Sequence, residues 1–162
     1  MNTLEAIRTK RSVRQFKDEP VPQEIIEQIL QAGRRAQSSQ NHQPWTFIVI
    51  RDKARLKALS ACGGGAGHVA GATFAIVIVD AANWSFDVGQ AAAYLQLAAW
   101  ELGVASCLAY FGETEQVKAL LGVPAEMTIE MGLSFGYAAQ APGRPDPAGR
   151  KPLAEVARWE TW

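Results

Sequence analysis

A cluster of basic and hydroxyl side chains lies near the start of the sequence, where Lys10, Arg11, Ser12 and Arg14 fall within five residues. This combination suits a phosphate monoester, because the planar fork of an arginine binds two phosphate oxygens through parallel hydrogen bonds. A run of charges at the end of a short helix more often faces solvent and binds nothing. The cluster therefore predicts a phosphate site only if other polar groups accompany it.

A second concentration of polar side chains occupies residues 37–43, between an expected helix and an expected strand. Ordinary turn chemistry needs only one or two such side chains. The hydroxyls and amides of this stretch can hydrogen-bond the carbonyl, imide and ribityl groups of a flavin.

A glycine-rich segment, residues 65–70, formally matches the G-x-G-x-x-G/A fingerprint of dinucleotide-binding proteins. That fingerprint requires a strand before the turn and a helix after it, so that the helix N-terminus meets the pyrophosphate. Here the expected order is reversed. The segment also lacks the Gly-Lys-Ser/Thr ending of a nucleoside triphosphate loop. We interpret it as a flexible loop.

The remaining residues support neither metal chemistry nor nucleophilic hydrolysis. His42 and His68 have no carboxylate at a ligand spacing, and Cys62 and Cys107 form no Cys-x-x-Cys pair. A Gly-x-Ser-x-Gly pattern occurs at residues 132–136, but it lies inside an expected strand and not at the strand-to-helix turn that a serine hydrolase requires. We therefore predict no metal ligand and no catalytic side chain. The two isolated cysteines favour a reducing, cytoplasmic setting.

Hydrophobic periodicity predicts helices and strands in mixed order around these polar segments. Helices are expected at Leu4–Lys10, from Pro22 to about Gly33, after Asp52, at Phe86–Gly103 and at Thr114–Leu121. Strands are expected at Thr46–Arg51, Thr73–Val79, Val104–Tyr110 and Thr128–Tyr137. The proline-rich residues 138–152 predict a loop or extended arm that carries Arg144, Arg150 and Lys151. The apolar tail that follows is expected to dock on this subunit or on a partner.

The helix expected at Phe86–Gly103 has almost no polar face, which predicts burial on all sides. At a rise of about 1.5 Å per residue it would span roughly 27 Å, close to the diameter of a small domain. One chain would hardly cover both of its sides, so a homodimer is expected. The alternative is a central helix wrapped by its own chain.

The composition fits a single globular domain over residues 1–162, with 48% hydrophobic and 20% charged residues. Equal numbers of basic and acidic side chains, 16 of each, remove the broad positive field that unspecific nucleic-acid binding requires. The purest apolar run, residues 75–79, is much shorter than the roughly 20 residues of a membrane span. We expect no nucleic-acid partner, no membrane insertion and no export.

In combination these segments resemble the nitroreductase family of flavin-dependent oxidoreductases. The matching residues occur in the family's order over nearly the whole chain: Ile7 with residues 11–16, residues 38–45, residues 87–91, residues 102–107, and residues 136–137 before 150–153. The resemblance implies an α+β fold with a central mixed or antiparallel sheet flanked by helices. It also implies an obligate homodimer in which the long helices pack across the two-fold axis, with one FMN per active site at the interface.

The same resemblance implies which residues would contact FMN. Lys10, Arg11, Ser12 and Arg14 would hold the phosphate and neighbouring groups, completed by Arg150 from the C-terminal arm. Gln37, Ser38, Ser39 and Asn41 would reach the flavin from the partner subunit. The backbone of Ala109 and Tyr110 would lie near the isoalloxazine ring.

The implied activity is hydride transfer from NADH or NADPH to the flavin, followed by reduction of a small acceptor. Lys10 stands where the family commonly has arginine, and Leu108-Ala109-Tyr110 replaces a Trp and Gly often found there. The chain is also short for the family, which favours an open site that accepts quinones and nitroaromatics. Two alternatives stay open: a relative that degrades, stores or delivers flavin, and a non-catalytic dimer that binds a phosphorylated ligand.

Overall fold

The computed structural model describes residues 2–81, 83–143 and 149–162. Helices α1 to α6 span Thr3–Thr9, Gln23–Gly33, Lys53–Ser60, Ser85–Glu101, Thr114–Leu121 and Leu153–Val156. Strands β1 to β4 span Trp45–Ile50, Phe74–Asp80, Ala105–Ala109 and Thr128–Gly136. The predicted helices and strands are all present, and their ends agree to within about two residues. The short α6 and two 3-10 turns, Ser39–Asn41 and Gly67–Gly71, are additional.

The four strands form one antiparallel sheet in the order β1-β2-β4-β3. At one end of the sheet Trp45 of β1 lies opposite Asp80 of β2, which lies opposite Thr128 of β4. At the other end Ala105 of β3 lies opposite Gly136 of β4. The α+β architecture with a central antiparallel sheet is therefore confirmed. The two edge strands, β1 and β3, begin at opposite ends of the sheet.

The sheet is covered by helices on both faces because alternate side chains of a strand point to opposite sides. Phe74, Ile76 and Ile78 of β2 belong to the core formed with α2 and α4, whereas Ala75, Val77 and Val79 belong to the core formed with α3 and α5. Every residue of β2 is buried.

A glycine allows α2 to approach α4 closely. In the structure Gly33 is buried, and a Cβ at this position would lie 2.5 Å from Cδ2 of Leu95 in α4. Any side chain at position 33 would have to displace the fully buried Leu95.

Helix α4 is not covered on all sides by its own chain, so the alternative of a central helix wrapped by one chain is wrong, and burial of its second side in a homodimer stays a prediction. Val88, Ala92 and Leu95 face the core, but Phe86 is 79% exposed and Tyr94 is 39% exposed. The prediction followed from composition, which does not tell whether the second apolar side is covered by the same chain or left open.

The C-terminal tail also fails to pack on its own subunit. Its large apolar side chains, Leu153, Val156, Trp159 and Trp162, are all exposed. Of the helices in the described ranges, none combines the length and apolar character needed to cross a lipid bilayer.

Candidate functional site

The basic cluster follows the end of α1 and runs along the outer edge of β3. Ser12 forms a parallel bridge with Ser106, and the N–H of Val13 donates to the carbonyl of Ser106 at 3.0 Å. Further along, the N–H of Lys17 donates to the carbonyl of Tyr137 at 2.8 Å. The cluster is therefore extended backbone held by the sheet, and not merely a solvated end of the first helix.

Within residues 2–81, 83–143 and 149–162, no carboxylate forms a salt bridge with the cations of this cluster. The salt bridges in these ranges join Lys53 to Asp18 and Lys118 to Glu115. One guanidinium nitrogen of Arg11 donates to the carbonyls of Arg8 and Lys10, whereas Ser12 and Arg14 are exposed. Such a group of positive charges can receive an anion.

Burial modifies one of these cations. Lys10 is half-buried at the end of α1, and desolvation lowers the pKa of its ammonium group, with a smaller opposing effect from Cys107. A bound anion would stabilise the charged form that burial disfavours. The chemistry at Lys10 therefore fits a phosphate ligand.

The polar stretch forms a tightly turned loop before β1. Three of its residues, Gln40, Asn41 and Gln43, adopt positive φ angles of 48°, 58° and 50°. Non-glycine residues rarely adopt this conformation, and it persists where surrounding contacts impose it. One such contact is the N–H of Gln43, which donates to Oγ of Ser38 at 2.9 Å. The loop leaves Gln37, Ser39 and Asn41 exposed and Ser38 partly buried.

A buried carboxylate anchors this loop to α4. The N–H of Ser39 donates to Oδ2 of Asp87 at 2.9 Å, and Asp87 is only 5% exposed in the first turn of α4. On the other side of the loop, the ring of His42 meets Trp84 edge-on with centroids 4.7 Å apart. The sequence-based expectations gave Asp87 no role. The sequence feature that could have identified it is an acidic residue near the start of an otherwise apolar helix.

The strand end predicted to lie near the flavin ring shares an edge with the basic cluster. Ala109 is buried at the end of β3, and Tyr110 is 72% exposed immediately after it. Nε2 of His68 contacts the carbonyl oxygen of Leu108 at 3.1 Å. Burial lowers the pKa of His68, and the positive charge of Arg14 contributes to this shift. His68 and Leu108 therefore lie in contact, within the electrostatic influence of Arg14.

The glycine-rich segment is packed against this strand end, so its interpretation as a flexible loop is wrong. Ala66 and Val69 are fully buried within it. A Cβ at Gly65 would lie 3.1 Å from Cβ of Tyr110. The segment leads from α3 into a 3-10 turn and then into β2, which confirms that it lacks the context of a dinucleotide fingerprint.

The basic cluster and the polar loop lie at opposite corners of the sheet. Ser12 pairs with Ser106 of β3, and Ser106 lies opposite Phe135 of β4. Phe135 in turn lies opposite Phe74, at the start of β2. The polar loop, by contrast, leads into the sheet at Trp45, the first residue of β1. Four strand spacings and six residues of β2 separate the two places, about 19 Å across and about 20 Å along the strands. The predicted site residues are therefore not brought together within one chain.

The arginine predicted to complete the phosphate site from the C-terminal arm, Arg150, is exposed. Its guanidinium donates to the carbonyl of the neighbouring Gly149 at 3.2 Å. Its contribution to a phosphate site remains a prediction, and Arg144 lies outside the described residues. Within the described ranges, no group of three or more His, Cys, Asp or Glu side chains could hold a metal ion.

Known proteins resemble this chain in sequence and in fold. The sequence profile of the Nitroreductase family matches residues 7–69 and 61–137. An Archaeoglobus fulgidus protein, provisionally named NADH dehydrogenase/NAD(P)H nitroreductase, is 35% identical over 146 residues, which cover 83% of this chain and 84% of that protein.

Two solved structures are similar over almost the whole chain. The FMN-dependent nitroreductase of Clostridium difficile R20291 has a TM-score of 0.91 at 28% identity and covers 99% of this chain and 100% of its own. A Desulfovibrio desulfuricans protein, provisionally described as a nitroreductase and solved in complex with FMN, has a TM-score of 0.83 at 31% identity and covers 100% and 99%. Because the profile matches most of the sequence and the whole fold is shared, this chain belongs to the nitroreductase family.

Proposed function

We propose that this protein is an FMN-dependent oxidoreductase that oxidises NADH or NADPH and reduces a small acceptor such as a nitroaromatic or a quinone in a ping-pong cycle. When bound, FMN would supply the redox chemistry, accepting hydride from the nicotinamide and delivering electrons to the acceptor. The chain itself binds and orients the cofactor, and none of its side chains acts as a nucleophile.

The observation that carries the proposal is the set of uncompensated cations on the outer edge of β3. Lys10, Arg11 and Arg14 lie beside the strand that ends at Ala109, and no carboxylate pairs with them in the described ranges. A phosphate at one end and an aromatic ring system at the other would fit this edge. The FMN complex of the relative with 31% identity supports the same cofactor here.

Each predicted residue then has a role in binding. The phosphate and neighbouring groups are held by Lys10, Arg11, Ser12 and Arg14, with Arg150 from the C-terminal arm. The flavin ring lies near the backbone of Ala109 and Tyr110. Gln37, Ser38, Ser39 and Asn41 supply hydrogen bonds from the other subunit.

The distance between the two polar clusters supports a homodimer. One ligand cannot contact both clusters of a single chain, but two copies related by a two-fold axis can place the loop of one beside the basic edge of the other. Each chain also exposes large apolar side chains, with Leu4 and Phe86 at 79% and Trp159 at 84%. Apolar exposure of this extent marks interaction surfaces. The free thiols of Cys62 and Cys107 agree with a reducing cytoplasm.

The site assignment is tested by Arg14→Ala with Arg55→Ala as the matched control. Removing a charged hydrogen-bond partner of the phosphate costs about 1.5–3 kcal/mol, which raises the FMN Kd about 10- to 150-fold. Arg55 is exposed on α3, outside the basic cluster, and its loss is expected to leave the Kd unchanged. Fluorescence titration of FMN into the apoprotein measures both values. Equal Kd values for Arg14→Ala and the wild type would show that the basic cluster does not hold the phosphate.

The reaction is tested by the visible spectrum of the purified protein before and after anaerobic addition of NADH or NADPH. Bleaching of a flavin spectrum supports the reductase. A flavin spectrum that persists would favour a protein that degrades, stores or delivers flavin. A colourless protein that also fails to take up FMN would overturn the proposal and leave the phosphorylated-ligand dimer.

A further inference from the structure

The end of β3, next to the proposed flavin ring, is held in place by contacts with an earlier segment of the chain. We call residues 108–112 the strap and residues 62–68 the buttress. Tyr110, in the middle of the strap, has an exposed side chain, so packing of its ring does not set its position. Its position depends on the backbone of the strap.

The buttress contacts the strap along its length. The N–H of Glu113, just beyond the strap, donates to the carbonyl of Cys62 at 2.9 Å. A Cβ at Gly63 would lie 2.6 Å from both the nitrogen of Gly112 and the carbonyl oxygen of Tyr110. Only glycine permits this approach, because a Cβ does not come so close to backbone atoms. The glycines thus allow two backbones to pack together.

His68 ends the buttress and joins it to two strands. Its Nε2 lies 3.1 Å from the carbonyl oxygen of Leu108 in β3, and its Nδ1 lies 2.8 Å from Oγ of Ser134 in β4. In the neutral ring these contacts require that Nε2–H donates to Leu108 and that Nδ1 accepts from the hydroxyl of Ser134. Both ring nitrogens are therefore used, and the imidazole fixes the edge strand where the strap begins.

Phe111 fixes the strap to β4. Its ring is buried and lies over Gly132 of β4, where a Cβ would be 2.5 Å from Cε2 of the ring. The strap is consequently held at Leu108, Tyr110, Phe111 and Gly112 by neighbours that are distant in sequence.

We propose that the buttress, with His68 as its hydrogen-bonding anchor, is a positioning element that fixes the strap and thereby sets the place of Tyr110 beside the flavin and the acceptor. The part that concerns the flavin rests on the proposed function. Neither His68 nor the glycines touch the reacting atoms in this proposal, and their influence passes through the backbone of the strap.

Hydrogen exchange of the apoprotein tests the buttress without any cofactor. His68→Ala is expected to speed amide exchange of residues 108–113 about two- to tenfold, the factor for one lost hydrogen bond. His68→Gln keeps a donor for Leu108 and an acceptor for Ser134, and should restore slow exchange. If His68→Ala does not fold, a pair of glycine variants carries the test. Gly65→Ala crowds Tyr110, whereas Gly64→Ala adds a Cβ with nothing within 4 Å.

The FMN-loaded protein tests the consequence for the flavin. His68→Ala and Gly65→Ala should alter the visible circular dichroism of the bound flavin and raise the acceptor KM, while Gly64→Ala and His68→Gln resemble the wild type. Exchange that is unchanged in both His68→Ala and Gly65→Ala would overturn the buttress, whether or not FMN binds. Faster exchange with an unchanged dichroism spectrum and KM would overturn the link to the flavin and leave the proposed function standing. A wild-type protein that takes up no FMN would overturn the proposed function and this link together, while exchange would still decide the buttress.

Discussion

The hydrogen bond between Asp87 and Ser39 determines the stability of the polar loop, and Asp87→Ala removes it. A hydrogen bond to a charged group contributes about 1.5–3 kcal/mol, and a carboxylate in the first turn of a helix adds about 0.3–1 kcal/mol. Because the exposed Ser39 can bind water after the substitution, the lower part of the combined range of these two contributions applies. We expect a loss of about 2–3 kcal/mol in the free energy of unfolding.

The matched control is Asp52→Ala at the start of α3. Asp52 also accepts a backbone N–H, that of Arg55 at 2.8 Å, but it is exposed and lies outside the candidate site. Loss of such an N-cap costs about 1 kcal/mol. Asp87→Asn retains an acceptor oxygen without the charge, and is expected to recover about half of the loss caused by Asp87→Ala.

Urea unfolding at one fixed protein concentration measures these differences, because stability depends on concentration if the protein associates. Hydrogen exchange of residues 38–43 reports the loop directly. Asp87→Ala should accelerate exchange there, and Asp52→Ala should not. The reasoning would be refuted if Asp87→Ala cost no more than Asp52→Ala and left exchange in the loop unchanged.

Two further predictions concern packing and pH. Gly33→Ala should destabilise the protein by about 1–2 kcal/mol in urea unfolding. Overpacking against Leu95 costs about 1–3 kcal/mol, and the better helix propensity of alanine offsets up to about 1 kcal/mol of this loss. A variant more stable than the wild type would show that Leu95 moves aside freely. Burial lowers the pKa of His68 below its usual 6.5, so the unfolded chain binds more protons as the pH falls below about 6.5 and stability declines there. His68→Gln should reduce the slope of stability against pH in this range, and an identical slope in both proteins would contradict the assignment.

Local signals were sufficient to predict most elements of secondary structure. Apolar residues at helical spacing located α2, and β-branched runs located β1 and β2. Gly122 ends α5 in the left-handed conformation with a φ of 68°, and the side chain of Asp52 caps α3. These features depend on neighbours within one helical turn or one strand, which the order of residues contains directly. The polar residue types also identified the basic cluster and the polar loop before any fold was known.

Contacts between distant residues could not be predicted in this way. Ser39 and Asp87 are 48 positions apart, and His68 and Ser134 are 66 apart. Nothing in the residue types at 62–68 distinguishes a flexible loop from a packed buttress, because the same glycines allow both free motion and close approach of two backbones. Composition likewise predicted an apolar α4 without telling which of its sides the chain would leave open.

The sequence by itself determined the helices and strands, the family and the two kinds of polar group, because each depends on residue type and short-range spacing. Only the tertiary structure decided that the basic cluster and the polar loop occupy opposite corners of one sheet, and that His68 and the glycines hold the strap. Strand order and register set these relations. They result from the burial of both faces of the sheet by residues far apart in the chain, which no local pattern specifies.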